Sequence, residues 1–181
     1  MSEFHSSFIE NEYTKVGNLP ILPIKSKVRG PAPCDDAMEK DIIDEALLYF
    51  KPLIFFRQYE IKNGSDRVLV YLILYILECL KKFNKCPNKM TASKEMINLA
   101  QSKFALPGDS TFPQGLGNMY QKPKTPAETD TMRSYLTQLR TELGQRLVEV
   151  VYANESQASK WWLCFSKKRF LDQTLTLPGA F

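Results

Sequence analysis

Histidine is almost missing from this chain: His5 is the single one in 181 residues. Imidazole is the usual carrier of acid–base catalysis, nucleophile activation and metal ligation near neutral pH, so most catalytic constellations have no member here. Cysteine is sparse. Cys34, Cys79, Cys86 and Cys164 form no C-x-x-C pair, and zinc-ligand spacing is absent. No G-x-x-x-x-G-K or G-x-G-x-x-G phosphate loop occurs; Gly115 and Gly117 stand in a proline-rich stretch with no strand before them. Met1 to Asn18 lacks the continuous apolar run of a signal peptide. Free thiols in a reducing compartment are therefore expected, with a Cys79–Cys86 disulfide as the alternative. Catalysis by Asp41, Asp44 and Glu45 alone is the remaining enzymatic reading, and these acids are explained more simply as charges at a helix N-terminus. Neither an enzyme nor a cofactor is expected.

Charge of one sign is not abundant either. A net charge of +4 permits an acidic partner without demanding nucleic acid or a membrane. The hydrophobic fraction of 44% is that of a folded protein, and the length is that of one domain able to close a core without metal or disulfide. Residues 1–38 carry Pro20, Pro23, Pro31 and Pro33 with Gly17 and Gly30, which forbid a long helix and favour extended backbone. The same segment holds Leu19, Ile21, Leu22, Ile24 and Val28, so it reads as an arm packed along the fold, a disordered tail being the alternative. Residues 39–181 read as one helical domain.

Within it, Ile42, Ile43, Ala46, Leu47 and Phe50 follow helical periodicity behind the acids at Asp41, Asp44 and Glu45. Pro52 should kink or end that helix, and Leu53 to Tyr59 resumes as a short helical piece. Asn63-Gly-Ser65 is a turn, with Ser65 as N-cap of the next helix. From Val68 to Leu77 every residue is apolar or Tyr. Charges at Asp66, Arg67 and Glu78 to Lys82 close this run too early for a membrane span. A buried strand is possible on propensity, but no partner strand is visible elsewhere. A helix apolar on all sides must be surrounded by others, which makes it the centre of the core. Thr91 to Lys103 forms an amphipathic helix with Met96, Ile97, Leu99 and Ala100 inward. Phe104 to Pro126 is a long irregular loop pinned by Phe104, Phe112 and Tyr120. Thr125, Pro126 and Glu128 form a capping box for a helix burying Met132, Leu136, Leu139, Leu143, Leu147 and Val150. Its other face carries Arg133, Arg140, Glu142 and Arg146, with Glu142 and Arg146 placed for an i,i+4 pair. A last short helix runs from Ser159 through Phe170. The fold class is all-α: a single multihelical domain with one central buried helix surrounded by others, plus an extended N-terminal arm.

Two basic segments are the candidate interaction sites. Trp161 and Trp162, followed by Lys167, Lys168 and Arg169, combine aromatics with cations. Adjacent helical residues diverge by about 100°, so one Trp faces the core and the other a contact surface. The segment suits a protein hot spot, a stacking-and-phosphate surface for nucleic acid, or plain core packing with cations at a helix C-terminus. Lys81, Lys82 and Lys85, with Lys89 beyond, either complement the end of the central helix or face an acidic partner.

The ordered set Gly30-Pro-Ala-Pro33, Asp44-Glu-Ala46, Tyr49-Phe50, Tyr59-Glu-Ile-Lys-Asn63, Glu78-Cys-Leu-Lys-Lys82, Lys160-Trp-Trp162 and Cys164-Phe165 resembles subunit 3 of the actin-related protein 2/3 complex. His5-Ser-Ser7, Pro107-Gly108, Phe112-Pro113 and the Met132-Arg133, Tyr135-Leu136, Gln138-Leu-Arg140 helix extend the likeness over nearly the whole chain. Pro52 and the Gln114-Gly-Leu-Gly-Asn118 loop depart from it. The resemblance implies a cytoplasmic, non-catalytic subunit of the cortical actin cytoskeleton. Its implied partners are the actin-related protein 3 subunit, the other subunits, the actin filament at the branch and nucleation-promoting factors. A helical nucleic-acid-binding module using Trp161, Trp162 and Lys167 to Arg169 is the alternative.

Overall fold

In the computed structural model, which describes residues 4–154 and 157–176, the apolar run is a 20-residue helix, α2 (Gly64–Phe83) in chain order. Every residue from Val68 to Leu80 is buried. Water is excluded from α2 by helices α1 (Ile42–Leu53), α3 (Lys89–Gln101), α4 (Pro126–Val151) and the one-turn α5 (Lys160–Leu163), and by the second strand of a small hairpin. That hairpin pairs β1 (Lys15–Val16) with β2 (Leu19–Pro20), antiparallel, with Val16 opposite Leu19. The expected all-α class therefore holds for the bulk of the fold and misses this hairpin. Two-residue strands are too short to show an alternating pattern. Gly17, at φ +58°, makes the turn a side chain would strain. Burial pushes the Cys79 thiol on α2 up to about 12, and all four cysteines are free.

The N-terminal segment does more than lie on the surface. Leu19, Leu22, Ile24 and Ala32 are fully enclosed, and buried polar groups bind its backbone to the helices. Arg146 of α4 reaches Asp41 (2.7 Å), Asp44 (3.1 Å), Glu142 (2.8 Å) and the Lys25 carbonyl (2.6 Å). Asp41 also caps α1: its carboxylate accepts from the Asp44 N–H, and that of Asp44 from the Asp41 N–H. Gln138 of α4 donates to the carbonyls of Val28 and Ala32 and accepts from the Ala32 N–H, replacing a strand partner. Tyr135 donates to Pro20 O and accepts from the Leu22 N–H.

At the start of the segment His5 has companions that the sequence hides. Its Nδ1 lies 2.8 Å from Asp66 Oδ2 and 3.1 Å from the Tyr59 hydroxyl. Asp66 also accepts from the Ser6 and Lys62 N–H groups. Glu45 is not a capping acid; buried, it accepts from the Ser6 hydroxyl and the Ser7 N–H. Burial holds its carboxyl above the usual carboxylate range, against the pull of those two donors.

Several element boundaries differ from the periodicity. Pro52 is the penultimate residue of α1 and ends the helix rather than bending it; no helical piece follows between Leu53 and Tyr59. Asn63, not Ser65, caps α2, its side chain accepting from the Ser65 N–H at 2.8 Å. In α3 the buried residues are Ala92, Met96 and Ala100, whereas Ile97 is 42% exposed. Thr125 caps α4, but the Glu128 carboxylate turns to the N–H groups of Lys124 (2.7 Å) and Gly17 (2.6 Å), which lowers its pKa. Thus Glu128 ties the hairpin to α4 instead of completing the box. Val148 and Val151 pack inward where Val150 was expected, and Arg140 is buried. The Glu142–Arg146 pair forms as expected. The long loop keeps a single helical turn at Gln114–Leu116 and is anchored by Leu116, by Phe112 edge-on to Tyr120, and by the Tyr120 hydroxyl on Arg67 O.

Ile73→Ala in α2 should cost about 2–5 kcal/mol of unfolding free energy in urea titrations, whereas Ile97→Ala should stay within about 0.5 kcal/mol. A second expectation concerns Asp44. Burial alone would raise its pKa, but the bonds from Lys25 and from the Asp41 N–H, with Arg146 nearby, lower it on balance. A lowered carboxylate stabilises the fold above its unfolded pKa, about 3.9, and that stability is lost as pH falls through the folded value. Asp44→Asn should therefore destabilise at pH 6–7, with a deficit that shrinks below about pH 4. Thermal unfolding of both proteins from pH 3 to 7 measures it.

Candidate protein interface

Helix α5 is short because Cys164 to Lys167 leave it as turns, and the chain then doubles back through Leu171 and Asp172, both at positive φ (54° and 58°). The expected helix from Ser159 to Phe170 is thus cut to one turn. Lys167, Lys168 and Arg169 stand beyond its end, too far along the chain to act as C-terminal helix charges. Phe170 is enclosed against Tyr59 and anchors the returning chain.

The two tryptophans separate as the helical angle requires. Trp162 is 8% exposed and stacks on Phe50, with ring centroids 5.7 Å apart and planes at 15°. The Lys51 ammonium lies 4.5 Å from its ring. Trp161 is 69% exposed and meets the Lys160 ammonium at 5.3 Å. Phe165 sits half-buried, edge-on to both Phe50 and Phe55. Phe55 is itself 63% exposed and has the Lys168 ammonium 5.7 Å from its ring. Phe55 therefore adjoins the Phe50–Trp162–Phe165 cluster directly, Trp161 adjoins it through the chain at Trp162, and each presents large apolar area beside a lysine. Exposed aromatics carried on a rigid stack and rimmed by Lys and Arg have the make-up of a protein hot spot.

Of the lysines at the end of α2, Lys81 is paired with Glu78 at 3.0 Å, Lys82 is half-buried, and Lys85 is exposed. Asn84 donates to the Ser166 hydroxyl at 3.0 Å. That bond sets the turn bearing Lys85 against the turn bearing Lys167, so tertiary structure joins two basic runs 82 residues apart. Lys51 and Phe55 were missed by sequence reasoning. The signal available was the unbroken apolar set Leu53-Ile-Phe-Phe56, whose members cannot all face inward once Pro52 stops the helix.

The face offers apolar area and positive charge. Among the described residues no group of His, Cys, Asp and Glu could hold a metal ion. No described helix is long and apolar enough to cross a membrane. Trp162 turns inward, as expected of one of the pair, so of the two only Trp161 is left exposed for stacking on a base.

Comparison with known proteins gives one family throughout. Residues 1–175 match the family described as the ARP2/3 complex ARPC3 (21 kDa) subunit. Actin-related protein 2/3 complex subunit 3 of Dictyostelium discoideum is 49% identical over 175 residues, covering 95% of this chain and 99% of the relative. The probable subunit 3 of Caenorhabditis elegans is 45% identical, with 99% of each chain covered. The subunit 3 of Schizosaccharomyces pombe is 44% identical over 97% of this chain and all of the relative.

The tryptophans should differ sharply on truncation. Trp162→Ala should cost about 3–5 kcal/mol, the toll of emptying a large core site, whereas Trp161→Ala should change stability by no more than about 0.5 kcal/mol. Chemical denaturation of the two variants reads the difference directly.

Proposed function

Since the chain belongs to the ARP2/3 complex ARPC3 (21 kDa) subunit family, we propose that it acts as a non-catalytic structural subunit of that complex in the cytoplasmic actin cytoskeleton. In this reading it supports nucleation of branched actin filaments through contacts with the actin-related protein 3 subunit and at the branch junction. Nucleation-promoting factors meet it as part of the assembly. The observation that carries the proposal is the end-to-end match: identity of 36–49% to relatives named as this subunit, each covered over at least 91% of its length. A match that runs through nearly the whole of each relative fits the same slot in the same assembly.

The chain's own chemistry supports a non-catalytic role. The acids that offered the remaining enzymatic reading are engaged in folding: Asp41 and Asp44 with Arg146, Glu45 with Ser6 and Ser7. The surface best suited to a subunit contact is the Phe55–Trp161 face with Lys51, Lys160, Lys167, Lys168 and Arg169. Apolar burial would supply affinity there, and the cations would steer an acidic partner.

Affinity purification of the tagged full-length chain from cells, with identification of co-purifying subunits, tests the proposal. Recovery of both actin-related proteins in stable stoichiometric amounts is expected; recovery of monomer alone would refute it. Combining Phe55→Ala with Trp161→Ala should reduce that recovery at least tenfold while leaving the melting temperature unchanged. Full recovery by the double variant would move the contact to another face and leave subunit membership standing.

A further inference from the structure

A groove of about 500 Å³ opens between α2, α3, α4 and the long loop, away from the Phe55–Trp161 face. Its size is that of a ligand site, and its walls are mainly apolar, formed in part by Leu99, Phe104, Phe112 and Leu175. Arg140 lines it. The guanidinium lies between two rings, 4.1 Å from that of Phe104 and 4.5 Å from that of Tyr75. One nitrogen donates to Leu99 O at 2.7 Å and another approaches the Tyr71 hydroxyl at 3.4 Å.

Arg140 is only 4% exposed, yet among the described residues no carboxylate lies within ion-pair distance of it. Its Nε has no hydrogen-bond partner among them, and neither, apart from the weakly accepting Cys79 sulfur one turn on, does the hydroxyl of Tyr75, a fully buried residue that lines the same groove. Burying a charge without a counter-ion and leaving two polar groups unbonded are both costly. A single carboxylate would accept from the Arg140 Nε–H and the Tyr75 O–H together, and its apolar stem would lie on the Leu99 and Phe104 walls. A phosphate fits less well, because Glu78 and Glu95 also line the groove and would repel a dianion.

We propose that this groove receives a short segment of a partner protein, presenting an Asp or Glu carboxylate to Arg140 and Tyr75 and an adjacent apolar side chain to the walls. It is a second docking site, independent of the Phe55–Trp161 face and of the subunit reading. The architecture matches a small interface with an apolar centre, one buried polar anchor and a charged rim that includes Lys103.

Selection of a displayed random octapeptide library on the full-length chain tests this, followed by anisotropy titration of the enriched peptides. The expected result is a consensus with one acidic residue beside an aliphatic or aromatic one. Replacing that acid by Gln in the synthetic peptide should weaken binding at least tenfold. Ala105→Trp, which fills the groove, should abolish binding, and Tyr75→Phe, which removes only a hydroxyl, should weaken it several-fold. Three outcomes overturn the proposal: a consensus without an acid, equal binding by the Ala105→Trp and Tyr75→Phe chains, or no enrichment at all. The second would mean that acidic peptides sit on the Lys160–Arg169 surface. The third would mean that water serves the two orphan groups.

Discussion

A helix that is apolar on every side cannot face water on any side, and α2 imposes that condition on the whole chain. From Val68 to Leu80 it gives no polar stripe to solvent, so neighbours must close around it completely. Three long helices do not suffice. The gaps are filled by β2 of the hairpin and by the single turn of α5. This explains why a mainly helical fold devotes so much of its chain to extended and irregular segments. These segments are lids over the central helix.

Lids made of irregular backbone raise a second problem, since they carry N–H and C=O groups that no ladder satisfies. The fold answers with long-range side chains: Arg146, Gln138, Tyr135, Glu128, Glu45 and Asp66 each bond backbone groups of residues 5–32. Such groups contribute little net stability compared with apolar packing. They act on register, because each bonds particular backbone groups and no others along the chain. An acid such as Asp41, which serves at once as helix cap and as partner of Arg146, couples the start of α1 to α4 and to the N-terminal segment.

The proposed contact face follows from the same demand. Closing the core at α5 needs one aromatic inward, and the neighbouring position must then turn outward. Trp162 seals against Phe50 and leaves Trp161 in solvent; Pro52 stops α1 and leaves Phe55 exposed against Phe165, at the edge of the same aromatic cluster as Trp162. The exposed apolar surface is therefore built on the rigid core rather than on a loose loop. A contact made there gains apolar burial without first having to order its own groups.

Composition and periodicity alone were enough to establish a helical fold with one central buried helix, the Glu142–Arg146 pair, the cap at Thr125 and the divergence of the two tryptophans. These are local properties: they depend on the 3.6-residue repeat and on the scarcity of His and Cys, and neither needs a partner distant in sequence. The order of short matches along the chain also pointed to its family. Only the folded structure decided which acids cap and which bind the N-terminal segment, where Glu128 points, and that His5 has Asp66 and Tyr59 beside it. It alone joined the turns bearing Lys85 and Lys167 and left Arg140 buried with no carboxylate at ion-pair distance among the described residues. The reason is physical. A polar side chain bonds whatever group lies within about 3 Å of it, and that group's identity is set by packing between elements tens of residues apart, which no local pattern encodes.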